Sequence, residues 1–279
     1  MKNLLIRCFI FLIPFSGLYA QVNVTVDWED IKGEVPRQMF SLNLWDGINP
    51  EVSTDTVYQN YLKELNLPLV RIHGWEMIKE GHQKCWVDYP GEGWDSVAVS
   101  KSIGAIVPNV GEILLNIPGY TSFIDSAGEY AAWCASLVDL VNNKLGYHIK
   151  YWEPFNERQD EWTVNEMVDI YNKCAEAMKA VDSTILVGGP AVNQPWWNGL
   201  DAFIKGCKES LDFVSYHNYA KGSVTTNEEY FNSAKSIGSG GSNVRGMMNV
   251  AGLKDIPLFN GEYNIFWTWT VDQKRLHYG

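Results

Sequence analysis

The 279-residue chain has no apolar run long enough to serve as a membrane span. Its longest, Leu4 to Phe15, falls short of the roughly 20 residues that a helix needs to cross a bilayer, so membrane insertion is not expected. Positive charge is also scarce: 22 Lys and Arg stand against 33 Asp and Glu, a formal net charge of −11. Such a surface repels nucleic acid and anionic lipid and suits a neutral partner. There is no low-complexity tract and no short repeat. No G-x-G-x-x-G turn follows the first strand-like run, which argues against a dinucleotide fold. His and Cys number five each, and no His, Cys, Asp or Glu cluster has the spacing of a metal site. Neither a metal nor another cofactor is expected.

What is present begins with Lys2 and Arg7, the apolar run, and small or neutral residues ending at Ala20 before Gln21. That order is the pattern of a secretory signal peptide over residues 1–20 and implies a secreted or periplasmic protein. Cys85, Cys134, Cys174 and Cys207 would remain. Cys134 and Cys174 fall on apolar faces of predicted helices, where buried thiols are the first expectation and a bridge the second. Val22 to Trp28 alternates apolar and polar residues, the pattern of an exposed strand, and residues 21–35 are assigned as an N-terminal strand and linker. Ser236 to Asn243, rich in Gly and Ser, reads as a loop.

From residue 36 onward, short apolar runs alternate with longer amphipathic stretches. The runs are Met39–Trp45, Leu69–His73, Glu112–Ile117, Ile149–Phe155, Ile185–Gly189, Asp212–Tyr219 and Ile256–Glu262. Continuous rather than alternating apolarity is expected of parallel strands covered on both faces. Helical spacing appears from Tyr130 to Val141 and from Met167 to Met178. The pattern predicts an α/β fold, a (β/α)8 TIM barrel over residues 36–279 that stops before strand eight, with room for an accessory β-domain outside the chain.

Barrel enzymes carry their chemistry at the C-terminal ends of strands. Those ends hold Arg71 and His73 (strand two), Asn116 (three), Asn156 and Glu157 (four), His217 and Tyr219 (six) and Glu262 (seven), with Trp267 just beyond. Two carboxylates three strands apart, converging over the mouth, are what glycosidic hydrolysis needs: one protonates the leaving oxygen and the other acts on the opposite face of the sugar. Arg71 is placed to keep Glu262 charged, and Tyr219 to donate a hydrogen bond to it. The dipeptides alone carry nothing, since Asn-Glu recurs at Asn165-Glu166 and Asn227-Glu228. Glu153 shares the parity of Glu157 one layer deeper and reads as a buried structural carboxylate that needs a partner. The 12 Trp and 14 Tyr suit a carbohydrate binder. Trp75, Trp86 and Trp94 after strand two, and Trp196-Trp197 after strand five, are candidate sugar platforms or loop packing.

Tyr151-Trp152-Glu153-Pro154-Phe155-Asn156-Glu157 resembles the acid/base strand of the clan A glycoside hydrolases, and most closely the family 39 group of β-xylosidases and relatives. Arg71-Ile72-His73-Gly74, Val187-Gly188-Gly189-Pro190-Ala191 and Ser215-Tyr216-His217-Asn218-Tyr219 resemble that group's second, fifth and sixth strands, in order, within residues 36–265. The resemblance implies Glu157 as general acid/base, Glu262 as nucleophile and Asn156 as a ligand of the sugar 2-hydroxyl. Arg158 and Gly261 depart from the family's common Pro and Thr. The reading is a retaining glycosidase on β-linked plant or algal poly- or oligosaccharide. A non-catalytic carbohydrate-binding barrel and a metal-dependent barrel hydrolase or lyase are the alternatives.

Overall fold

The computed structural model describes residues 25, 27–31, 33–44, 47–73, 86–88, 93–118, 126–221 and 226–266. The expected signal peptide, Cys85, Trp75 and Trp267 lie outside these residues. The chain divides into two compact units, Met1–Pro36 and Arg37–Gly279. Of the strand expected over Val22–Trp28, residues 22–24 and 26 lie outside the described residues, and residues 25, 27 and 28 are not assigned to a strand.

The second unit is built on seven parallel strands: β1 (Leu42–Leu44), β2 (Leu69–Ile72), β3 (Glu112–Asn116), β4 (Tyr151–Glu153), β5 (Leu186–Val192), β6 (Phe213–Lys221) and β7 (Leu258–Phe266). They pair in chain order from β1 to β7. Each falls on one of the seven apolar runs, and the curled sheet is the nearly closed (β/α) barrel that the pattern predicts. A two-residue hairpin, Val87–Asp88 with Gly93–Trp94, lies between β2 and β3. Among the described residues no helix is long and apolar enough to cross a membrane.

Helices cover the sheet: α1 (Pro50–Ser53), α2 (Thr56–Leu65), α3 (Ser96–Ile106), α4 (Ala127–Val138), α5 (Val164–Val181), α6 (Leu200–Cys207) and α7 (Asn227–Ala251). Their starts are written locally. Asp55, Asp95 and Ser126 accept from the first free amides, and Thr163 with Glu166 and Thr226 with Glu229 form reciprocal capping boxes. Each such cap contributes about 1 kcal/mol. After α4 the chain continues through a π-helical turn, Asp139–Lys144.

Strand alternation sorts side chains into two layers. Val70, Ile72, Ile113, Leu115, Trp152 and Val187 face outward into the main core against the helices. Leu69, Leu114 and Phe213, with Tyr151, Leu186 and Phe259, plug the barrel interior. Gly188 makes room for that plug: a Cβ there would lie 2.3 Å from the Phe213 ring. Two residues further along the interior faces, the plug gives way to polar groups.

The Ser236–Asn243 stretch is not a loop. It lies inside α7, because tertiary contacts override its weak helix propensity. Asn218 Nδ2 donates to the carbonyl of Ser236 at 3.0 Å, and Asn243 Nδ2 donates to that of Pro195 at 2.9 Å. A Cβ on Gly240 would meet Asn218 Nδ2 at 2.5 Å, so glycine is what lets the helix approach. Cys134, Cys174 and Cys207 are buried free thiols, with the Cys134 and Cys174 sulfurs 3.9 Å apart.

Candidate active site

The polar layer above the plug is organised by Arg71. Buried at the end of β2, it spends its guanidinium on three strands. Nε donates to Glu153 Oε2 at 2.8 Å, one terminal nitrogen to Glu262 Oε1 at 2.9 Å, and the other to Asn156 Oδ1 at 2.7 Å. Asn43 of β1 is a longer partner at 3.4 Å. The planar fork is what lets one cation serve several acceptors in fixed geometry. Its pKa is raised: burial alone would lower it, but Glu153 and Glu262 outweigh that.

Glu262 accepts from Tyr219 Oη at 2.7 Å through its other oxygen. Burial by itself would raise the Glu262 pKa, yet His217, Arg71, His73 and the Tyr219 hydrogen bond bring it down to about 2. Glu262 is therefore ionised at neutral pH. The Tyr219 phenol is pushed up, by burial and then by Glu262.

A bulge aims Glu262. The register of β6 on β7 runs Tyr216 to Asn260 and then His217 to Glu262, leaving Gly261 as an extra residue. Without it, alternation from Phe259 would turn residue 262 away from the interior; one inserted residue re-aims it inward. A second irregularity separates Pro190 and Val192 on β5, at Ala191. Ala191 has φ +51 and Glu157 has φ +50. The Glu157 amide donates to the Ala191 carbonyl at 3.0 Å, which ties the two unusual conformations together.

Glu157 is partly exposed, with a side-chain accessibility of 17%. Its Oε1 lies 2.6 Å from His217 Nδ1, while His217 Nε2 is 3.8 Å from Glu262 Oε1. The imidazole thus stands between the two carboxylates. An oxygen of each carboxylate lies within 4.8 Å of the other. Beneath them, Asn116 Nδ2 donates to Glu153 Oε2 at 3.0 Å, and Asn116 Oδ1 faces His73 Nδ1 at 2.9 Å. Burial, then Arg71, lowers the His73 pKa to about 3, so the ring is neutral.

The structure therefore gathers Arg71, His73, Asn116, Asn156, Glu157, His217, Tyr219 and Glu262 at one end of the barrel. Asn43 was missed: its run was read as a strand, but its polar residue was not weighed as part of the mouth. Trp86 and Trp94 are not platforms. Trp86 is fully buried, and Trp94 lies 4.0 Å centroid to centroid from Trp133, so packing claims both. Trp196 remains exposed, and Trp197 packs on the core.

Spacing along the sequence shows no metal-type cluster, but the fold brings one such group together. Glu157, His217 and Glu262 bring three ligand-type atoms within 4.8 Å. Spacing along the chain could not reveal them, since they come from three distant segments. Hydrogen bonds already account for the grouping: Glu262 accepts from Arg71 and Tyr219, and Glu157 pairs with His217. Arg71 also brings a fixed positive charge against this cluster, which disfavours a cation there.

The barrel thus carries one carboxylate just past its fourth strand and one on its seventh, and comparison with known proteins bears on what they are. Residues 145–275 match the model of glycosyl hydrolases family 39, which shows over that segment the resemblance carried by the strand motifs. Similar solved structures include a glucosidase from Croceicoccus marinus (TM-score 0.65, 18% identity, covering 85% of this chain and 54% of that one). A monomeric β-xylosidase from Caulobacter crescentus is also similar (TM-score 0.62, 18% identity, 82% and 52%). So is an endo-1,4-β-D-mannanase from Thermotoga petrophila (TM-score 0.55, 13% identity, 85% and 82%). At these identities the likeness is one of fold. The chain spans about half the length of the first two structures. No curated protein matches the chain.

Proposed function

We propose that this chain carries the catalytic centre of a retaining glycoside hydrolase acting on β-linked poly- or oligosaccharides of plant or algal origin. The observation that carries the reading is the carboxylate pair, with oxygens of Glu157 and Glu262 within 4.8 Å across the barrel mouth. Retaining enzymes hold their carboxyl groups about 5–5.5 Å apart, whereas inverting enzymes leave about 6.5–9.5 Å for a water.

The environments divide the labour. Glu262, ionised and held by Arg71 and Tyr219, attacks the anomeric carbon and forms the glycosyl-enzyme bond. Glu157, more exposed and hydrogen-bonded to His217, protonates the departing oxygen. It then removes a proton from the water that cleaves the intermediate. Asn156, held by Arg71 next to Glu157, is placed to bind the sugar hydroxyl beside the scissile bond. Of the other residues expected to bind substrate, His73, Asn116 and His217 are buried around the carboxylates and support them, and Trp267 lies outside the described residues. The basic, apolar and small-residue order of residues 1–20 supports export to a secreted or periplasmic location.

The test is hydrolysis of a panel of aryl β-glycosides and polysaccharides by the native chain, Glu157→Gln and Glu262→Gln. NMR of the first-formed product reads its anomeric configuration. Retention and loss of activity in both variants are expected. Activity surviving both substitutions, or an inverted product, overturns the assignment. Binding of oligosaccharide without turnover by the native chain would favour a carbohydrate-binding barrel.

A further inference from the structure

Glu153 is fully buried in the last position of β4, and its hydrogen bonds go to neither Glu157 nor Glu262. Its Oε2 accepts from Arg71 Nε at 2.8 Å and from Asn116 Nδ2 at 3.0 Å. Its Oε1 has no hydrogen-bond partner among the described residues. Each of the two donors leads to Glu262 by its own route. Arg71, gripped at Nε, turns its two terminal nitrogens to Glu262 and Asn156. Asn116 has its amide nitrogen committed to Glu153 and to the Phe155 carbonyl, so its oxygen faces His73 Nδ1. That makes Nδ1 the protonated nitrogen of a neutral ring, and places His73 Nε2 3.8 Å from Glu262 Oε1.

We propose that Glu153 is a positioning residue for the nucleophile: one acceptor oxygen holds Arg71 and, through Asn116, His73 in the orientation in which they flank Glu262. The inference rests on the hydrolase reading above. It assigns the effect to the place of an acceptor and not to the Glu153 charge. A buried carboxylate kept only for stability would be an odd choice, since its desolvation offsets much of what its ion pair returns.

Two variants separate geometry from charge. In Glu153→Gln the amide oxygen can take the place of Oε2 and keep both accepted bonds, while the amide nitrogen falls where Oε1 displaces no partner. In Glu153→Asp the charge remains but the carboxylate withdraws by one methylene and cannot serve Arg71 and Asn116 together. The probes are 2,4-dinitrophenyl 2-deoxy-2-fluoro-β-xyloside and the corresponding glucoside, which report the glycosylation step alone. Intact mass follows the labelling rate, peptide mapping locates the label, and its final stoichiometry counts folded, competent sites.

Per competent site, Glu153→Gln is expected to label at close to the native rate. Glu153→Asp should be slower by about 100-fold, the order expected of a small misplacement at a reacting centre. Slow labelling of Glu153→Gln overturns the inference, and so does native-rate labelling of Glu153→Asp. A native chain that neither probe labels at Glu262 fails the hydrolase reading itself, an outcome distinct from the other two.

Discussion

Glu262→Gln should change how the protein responds to acid, in a window set by the site. The Glu262 carboxyl has its pKa at about 2 in the folded chain against an ordinary 4.5. A depressed carboxylate adds stability that is fully present above the unfolded value and is lost as pH falls through the folded one. Its increment is therefore complete above about pH 4.5 and gone below about pH 2. The shift corresponds to about 3 kcal/mol, and Glu262 is buried enough for solvent to screen little of it. Glutamine keeps the shape and removes the charge that titrates. Urea unfolding of both proteins at constant ionic strength, in steps from pH 7 to pH 2, should show the native chain more stable by about 3 kcal/mol near neutrality. The gap should close as pH falls. Carboxylates distant from the site titrate equally in both proteins and cancel in the difference. Parallel stability curves, or a gap that opens toward low pH, would refute the placement of Glu262 against Arg71 and Tyr219.

Arg71→Lys replaces a fork by a single ammonium that cannot span Glu153, Glu262 and Asn156. Equilibrium unfolding should show a loss of about 3 kcal/mol, as for a broken buried ion pair, with turnover falling alongside. Tyr219→Phe deletes the hydroxyl that donates to Glu262 Oε2. It should cost about 2 kcal/mol and move the acidic limb of kcat/KM to higher pH, read from a pH–rate profile. Within α7, Gly246→Ala meets nothing within 4 Å and should raise stability by about 0.5–1 kcal/mol. Gly240→Ala, whose Cβ would crowd Asn218 and Pro195, should lower Tm instead.

The barrel was legible because its strands are short continuous apolar runs, a signal that depends on burial on both faces and survives without any knowledge of partners. All seven runs became strands within a few residues. The α7 segment was not legible, since its Gly-Ser composition points to a loop and the contacts that keep it helical come from Asn218 and Pro195. The tryptophans after β2 are ambiguous in sequence; burial marks Trp86 as packing, and the ring contact with Trp133 does so for the partly buried Trp94. Site membership could be read from strand ends, but the wiring could not. Arg71 meets Glu153 and Glu262 across 82 and 191 residues of chain, and no local pattern encodes that. Nor does composition disclose that Gly261 is a bulge, although the bulge decides which way the second carboxylate points.

Several departures from local rules gather around the two carboxylates. Glu157 and Ala191 hold left-handed backbone conformations that cost a side chain about 1–2 kcal/mol each. Glu153 and His217 each bury a polar atom without a hydrogen-bond partner among the described residues. The bulge at Gly261 brings the backbone so close that a Cβ there would sit 3.2 Å from Arg71 Nε and 3.3 Å from His217 Nε2. Other departures lie away from the site: His148 also has a left-handed φ, of +54, and a π-helical turn follows α4. Glu157 just past β4, Ala191 within β5 and Gly261 within β7 stand together at the site. Strain held in place by a rigid scaffold is what aims side chains where regular strands would not. On that argument Gly261 is as much a part of the site as the carboxylates, although it carries no functional group: it turns Glu262 inward and leaves Arg71 the space to hold it.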